Sequence, residues 1–370
     1  MTTPHYRPTQ AIIDLNAIKE NVRHLKGFLQ PEVQIMAVVK ANAYGHGDVE
    51  VAGAAIEAGA SILAVATPDE ALHIRKHFPT IDILVLGYSP ITFAKVAADE
   101  NITLTVYSSD WVNKVQFNSD KLLKLHIKID SGMGRIGVTT IEELLTLFSD
   151  IKKTSNLIVD GIFTHFATAD EEDESYFKKQ VEKFEKLVRM LPEKPRVVHA
   201  ANTATMLIKD RHLQYDAVRF GISMYGLAPS SYVKGKLPFP IKQAFSLETE
   251  LVAVKLLQKG ESIGYGATFT AEEPMYVGTL PIGYADGMIR KLSGQEVLID
   301  GKRVPIIGRI CMDQCMIALP SAYNVGEKVI LIGKQNEEEI TIDEWAAKVE
   351  TINYEIPCII TTRVPRIYYS

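Results

Sequence analysis

Residues 34–47 read QIMAVVKANAYGHG. The first six form an apolar run of strand length without polar alternation, so both faces of that strand are expected to be buried. The run stops on one charge, Lys40, followed by small residues, a tyrosine, a histidine and two glycines. Strands buried on both faces belong to parallel sheets covered by helices. Similar runs recur outward along the chain: SILAVA (61–66), IDILVL (81–86), ITLTV (102–106), LKLHIKI (123–129), LIVDGIF (157–163), RVVH (196–199) and AVRF (217–220). Between them lie amphipathic stretches such as PDEALHIRKHF, SPITFAKVAADE, TIEELLTLFSDIKK and DESYFKKQVEKFEKLVRML. Several open on Pro, Ser, Thr or Asp, which favour helix starts. Alternating strands and helices imply parallel pairing through crossovers. Eight such strands are the number of a closed (β/α)8 TIM barrel. An open doubly wound sheet has a similar rhythm, but no GxGxxG follows the first strand, so the barrel is the expected fold.

The texture changes around Pro238-Phe239-Pro240. Beyond it lie short apolar strands and turn signals, QKGESIGYG, YVGTLPIGYADG, VLIDGKRVPIIG and GEKVILIG. IDGK at 299–302 is a strong hairpin turn. The expected organisation is an α/β barrel over 1–239 and a C-terminal β-rich domain over 240–370. An opening strand (QAIID) and helix (NAIKENVRHLKGFL) precede the barrel rhythm. The acidic run ADEEDES falls at an expected helix start, where acids suit the positive end of the helix dipole.

A formal net charge of -5 and a pI near 6.0 give no reason to expect a nucleic-acid or acidic-membrane partner. No apolar run reaches membrane-spanning length, and MTTPHYRPTQ lacks the apolar core of a secretory signal. Cys311, Cys315 and Cys358 are few, odd in number and not at zinc-knuckle spacing, so reduced thiols in a cytoplasmic protein are expected.

Barrel chemistry gathers at the carboxyl ends of the strands. Those ends carry Lys40, with Tyr44 four residues on; Lys128, leading to KIDSGMGRIG and Arg135; His165; His199; and Arg219. Each alone has a dull explanation, such as a snorkelling lysine or a structural histidine. Their joint placement on one rim is harder to dismiss. After the last two strands, Asn202, Thr203, Gly221 and Ile222 offer a hydroxyl and backbone amides suited to an anion. No GxxxxGK[ST] run is present, which disfavours a nucleoside triphosphate. A phosphate cradle plus a lysine amine is what pyridoxal phosphate requires: an anchor, and an amine for its aldehyde. Lys40 at a rigid strand end is then the amine, with the small residues after it leaving room for the ring.

The segments AVVKANAYGHG, KIDSGMGRIG, HFATADE, HAANTAT, RFGISMYGLAP, GYGATFTA, LPIGYADG and ICMDQCM resemble, in order and over nearly the whole chain, the motif series of bacterial alanine racemases. The resemblance implies a fold-type III pyridoxal-phosphate barrel followed by a β domain, in a head-to-tail homodimer. It also implies that the segment before about Thr9 joins the C-terminal domain. Lys40 resembles the Schiff-base lysine and one catalytic base, and Tyr265 the opposing base, donated across the dimer. Arg219 is similar to the residue facing the pyridine nitrogen, and His165 to the link between it and Tyr265. Thr203 (often serine in the family), Gly221, Ile222, Tyr44 and Tyr354 resemble the phosphate shell. Arg135 and the Met312 backbone amide resemble the clamp on the substrate carboxylate. Asp170, Tyr284, Arg290 and Arg309 resemble the residues lining the narrow approach. Lys128 is similar to a lysine carbamylated in many members; the alternative is an unmodified lysine in an ion pair.

These residue types suit racemisation, which needs acid/base groups on opposite faces of the α-carbon. A permanently charged guanidinium has no acceptor, so Arg219 facing the pyridine nitrogen would keep it unprotonated. A decarboxylase would want a carboxylate there. The expected function is alanine racemisation supplying D-alanine for cell-wall peptidoglycan. The alternatives are a broader racemase for serine or lysine and a non-catalytic pyridoxal-phosphate carrier. A metal-dependent barrel hydrolase would need converging ligands, and no metal set is evident beside His165 and His199.

Overall fold

The structure is a computed structural model that describes residues 6–370. The chain divides into two compact units. One comprises 17–43 and 48–243; the other comprises residues 6–16, 44–47 and 244–370.

The first unit is a nearly closed parallel barrel. Its strands are β2 (Gln34–Val38), β3 (Ile62–Val65), β4 (Asp82–Val85), β5 (Ile102–Val106), β6 (Leu123–Lys128), β7 (Leu157–Phe163), β8 (Val197–His199) and β9 (Ala217–Phe220). β1 (Gln10–Asp14) precedes them in the chain and belongs to the other unit. Consecutive barrel strands pair in parallel, and β9 returns to pair with β2. Between β8 and β9 a full ladder is absent among the described residues. Backbone bonds from Asp216 N–H to the Val198 carbonyl and from Arg219 N–H to the Ala201 carbonyl, each 3.0 Å, bridge the two. The eight expected strands are all present, because continuous apolar runs such as ILAV and ITLTV are buried throughout.

Helices separate the strands, and two of them start on a threonine cap. Thr67 and Thr140 each accept a bond from the backbone N–H three residues on, with Glu70 and Glu143 reaching back to complete capping boxes. The acidic run at 170–174 lies just ahead of the helix Ser175–Arg189 rather than inside its first turn. Asp173 there accepts from the Ser175 N–H at 2.8 Å.

The second unit is built mainly on an antiparallel sheet with the order β11-β14-β17-β16-β15-β18-β10-β1-β20. These are β10 (Phe245–Glu250), β11 (Ala253–Leu257), β14 (Met275–Leu280), β15 (Glu296–Ile299), β16 (Lys302–Ile307), β17 (Cys315–Leu319), β18 (Lys328–Gln335) and β20 (Arg366–Tyr369). The small pair β12 (Ser262–Ile263) and β13 (Phe269–Thr270) stands apart, and β19 (Glu338–Ile340) folds onto β18. β1 pairs antiparallel with β10 and parallel with β20. Asp300 and Gly301, both at positive φ, make the tight turn between β15 and β16 at the expected hairpin.

Candidate active site

Lys40 lies two residues beyond the end of β2 at Val38. The next four residues, Ala41, Asn42, Ala43 and Tyr44, all lie at φ between 52° and 54°. One turn of left-handed backbone without glycine costs of order 1 kcal/mol per residue. Specific bonds hold it: Ala43 N–H donates to the Val39 carbonyl at 2.9 Å, and Ala41 N–H donates to the Glu70 carboxylate at 2.7 Å. The other Glu70 oxygen accepts from Ala66 N–H at 2.7 Å, tying the end of β3 to the same carboxylate. Strain retained at one point is a mark of functional sites. Gly45 and Gly47 have no room for a side chain: a Cβ would collide with the Pro357 carbonyl and with Tyr368 respectively. The glycines of AYGHG are thus spent on packing within the β-rich unit.

The charges that act on His165 at the barrel mouth are cationic. Burial pushes the His165 imidazole well below its usual range, and the cations Arg219, Lys128, Arg135 and Lys40 push further in the same direction. Lys128 is buried, with Nζ 4.3 Å from the centre of the Phe163 ring. Burial, then Arg219 and Arg135, hold its amine well below the usual lysine range against the opposing pull of Asp130. Asp130 carries the loop that presents Arg135. Its carboxylate accepts from the N–H groups of Gly132 (2.9 Å), Gly134 (3.1 Å) and Arg135 (3.0 Å).

Arg219, on β9, is buried. Its Nη1 donates to His199 Nδ1 at 2.9 Å. Its Nη2 donates to the Thr164 and Ala200 carbonyls at 2.9 Å and to His165 Nδ1 at 3.2 Å. Among the described residues no carboxylate pairs with it, and its Nε–H has no acceptor. Burial alone lowers its pKa to about 9, so it remains cationic at neutral pH. Asn202 caps the helix Thr203–Ile208 through Thr205 N–H at 3.0 Å, and Thr203 Oγ1 accepts from Gly221 N–H at 3.1 Å. Ile222, buried, begins the short 3-10 turn after Gly221. Asp170 offers its carbonyl to the Ser230 hydroxyl at 2.8 Å.

The remaining candidates lie in the β-rich unit. Tyr44 is buried, with its ring 6.1 Å from that of Tyr354. Burial, reinforced by Cys358, drives its phenol upward, so it acts as a neutral hydroxyl. Tyr265 opens a 3-10 turn after Gly264 and is 71% exposed. A Cβ on the next residue, Gly266, would lie 3.0 Å from Arg309 Nη1, and its φ of +75° favours glycine there. Tyr284, Arg290, Arg309 and Met312 are exposed as well. Ala285 N–H donates to the Met312 carbonyl at 3.0 Å, which fixes that backbone.

Reading the sequence missed Glu70 and Asp130, which shape the turn after Lys40 and the loop before Arg135. Their signal was present: a glutamate at capping-box distance from Thr67, and an aspartate heading the glycine loop DSGMG.

A parallel barrel with a lysine at a strand end, a cationic mouth and a buried arginine without a carboxylate, continued by a β-rich unit, defines an amino-acid racemase of the barrel class. Family models match both parts of the chain: "Alanine racemase, N-terminal domain" over residues 13–229 and "Alanine racemase, C-terminal domain" over residues 244–368. The chain belongs to the alanine racemase family. It is 51% identical to the alanine racemase of Geobacillus stearothermophilus, over 98% of this chain and 94% of that one. It is 50% identical to alanine racemase 1 of Bacillus subtilis, over 99% and 94%. The crystal structure of the Bacillus anthracis alanine racemase with bound L-Ala-P superposes with a TM-score of 0.96 at 45% identity, covering 100% of this chain and 96% of that one. A histidine racemase from Leuconostoc mesenteroides superposes almost as well, at a TM-score of 0.92, but with 31% identity over the whole of both chains. The scaffold therefore does not by itself choose the side chain.

Proposed function

We infer that this chain interconverts L-alanine and D-alanine with pyridoxal 5'-phosphate. The observation that carries the reading is the state of Arg219: buried, cationic, without a carboxylate partner, and with Nε–H left without a protein acceptor. A ring nitrogen that only accepts a hydrogen bond fits that donor. Bound pyridoxal phosphate supplies an aldehyde for a lysine and a ring that withdraws electrons from the substrate α-carbon. Arg219, as a donor with no acceptor, would hold the ring nitrogen unprotonated and so moderate that withdrawal. The full-length likeness to alanine racemases at about half identity supports alanine over serine, lysine or a non-catalytic carrier role.

Lys40 is assigned as the amine that holds the cofactor and as one base. Thr203, Gly221 and Ile222, with Asn202 fixing the helix start, are assigned to its phosphate, as are Tyr44 and Tyr354. Arg135 binds the substrate carboxylate with paired N–H donors, aided by the Met312 amide. Lys128 is proposed to carry a carbamate: a depressed amine is nucleophilic toward carbon dioxide, and Arg219 and Arg135 would stabilise the anion formed. Tyr265 is assigned as the opposite base, from the partner subunit of a homodimer. Its exposure in the single chain, like that of Tyr284 and Met312, supports a surface that a second copy covers. His165 accepts from Arg219 through Nδ1, so its proton sits on Nε2, where it can donate to a tyrosine oxygen. Asp170, Tyr284, Arg290 and Arg309 are assigned to the approach to the site. The setting is cytoplasmic, and the D-alanine product feeds peptidoglycan.

The test is to incubate the purified protein with each enantiomer of alanine and of serine, with and without added pyridoxal phosphate, and follow optical rotation. Cofactor-dependent racemisation of alanine from both sides, with borohydride fixing the cofactor on Lys40 by peptide mapping, is the expected result. No turnover of alanine, or a label on another lysine, would overturn it.

A further inference from the structure

Beneath Arg219 a file of buried polar groups crosses the barrel interior. His199 Nε2 lies 3.0 Å from His126 Nδ1, and His126 Nε2 lies 3.3 Å from Asp160 Oδ2. Arg196 closes the file by donating to both Asp160 oxygens at 2.8 Å. Two irregularities in the sheet create it. The register of β6 against β7 passes from Leu125–Val159 to His126–Gly161, so Asp160 is the extra residue of a bulge. A bulge re-aims its side chain. Gly161 then makes space, since a Cβ there would stand 2.5 Å from the His126 ring. Phe163 stacks on His199 at 4.6 Å and 7° between planes, which fixes that ring from the side.

The protons in this file have one consistent arrangement. A guanidinium only donates, so His199 Nδ1 is a lone pair and its proton is on Nε2. That proton makes His126 Nδ1 the acceptor and places its proton on Nε2, facing an acceptor-only carboxylate. Burial pushes both imidazoles down, and Arg219 pushes His199 further, which agrees with two neutral rings. Asp160 is ionised: the bonds from Arg196 and His126 outweigh its burial.

We propose that His199, His126 and Asp160 are positioning residues that act through Arg219, a one-way file of donation Arg219 → His199 → His126 → Asp160 that locks the guanidinium so that only Nε–H remains for the cofactor ring. This rests on the reading of Arg219 as the partner of the ring nitrogen. The Thr164 and Ala200 carbonyls and His165 occupy Nη2, and His199 occupies Nη1. Without His199 held in its tautomer, Nη1 keeps only its long 3.4 Å bond to the His199 carbonyl, and the plane can turn.

The first test needs neither cofactor nor turnover. Cofactor-free protein labelled with 15N-histidine should show His126 and His199 as neutral rings protonated on Nε2 at neutral pH. Either ring protonated on Nδ1, or on both nitrogens, overturns the proposal. The second uses His126→Gln, which keeps one acceptor and one donor, and His126→Phe, which keeps bulk alone. In His126→Phe the resolved Arg219 Nη–H signals of the wild type should collapse by rotation, and kcat should fall about 10- to 100-fold with KM held within about two-fold. His126→Gln should restore both. A folded His126→Phe protein with wild-type Arg219 signals and kcat overturns the proposal. Failure of the function reading is separately visible, as a wild type with both histidines so protonated but no action on alanine.

Discussion

At the scale of single residues, Lys128 is the most unusual group in the barrel. Burial against an aromatic face, with Arg219 and Arg135 acting on it, disfavours the charged form of this amine, and conversion to an anion would suit those cationic neighbours. Addition of carbon dioxide with loss of a proton produces that anion. Lys128→Ala is therefore expected to lower activity by at least about ten-fold, chiefly through disorder of Arg135, with partial recovery when a small carboxylate is added to the assay. An intact mass of the wild type showing a bare lysine at neutral pH, and no recovery with any carboxylate, would remove the carbamate.

Among the elements, the β6–β7 pair decides how the barrel floor is organised. A glycine in the middle of a buried strand usually weakens it, yet Gly161 is the residue that admits the His126 ring. Gly161→Ala should cost about 1–3 kcal/mol by overpacking, read as a fall in the urea midpoint. Gly27, in the helix Leu15–Phe28, meets nothing within 4 Å, so Gly27→Ala is the control and should be neutral or stabilising by up to about 1 kcal/mol. Equal behaviour of the two variants would show that the close approach is unimportant. These elements also show what kind of information the chain carries locally. Strands were legible because burial on both faces leaves an uninterrupted apolar run. The bulge at Asp160 was not, because register depends on the neighbouring strand.

For the whole molecule, acid should be destructive in a defined window. Folding holds His126, His165 and His199 below their ordinary value of 6.5, so the folded state binds fewer protons than the unfolded chain. Stability is fully present above 6.5 and is lost as pH falls below it, by up to about 1.4 kcal/mol per pH unit for each ring. Asp160 adds a further loss below its ordinary 3.8. Urea unfolding at neutral pH and about one unit below the histidine range checks this; an unchanged midpoint would mean the rings charge in place. The proposed dimer has its own test. Lys40→Ala and Tyr265→Phe proteins should each be nearly inactive, but mixing them with subunit exchange should restore about a quarter of wild-type activity, since half the dimers are mixed and each has one intact site. Verified exchange without recovery would place both groups in one chain or in no pair.

The sequence by itself determined the eight-stranded barrel and the change to β structure near residue 240, and it offered the candidate residues that sit in unbroken motifs such as VVKANAYGHG and RFGISMYG. Those features depend on local polarity, turn chemistry and residue identity, which the chain carries along its length. Only the tertiary structure decided that β1 pairs with β10 and β20, that Ala41 to Tyr44 turn left-handed under the hold of Glu70, and that Asp160, His126, His199 and Arg219 stand in one file. Each of these joins residues distant in sequence, and neither strand register nor the direction of a donated proton exists until those partners meet.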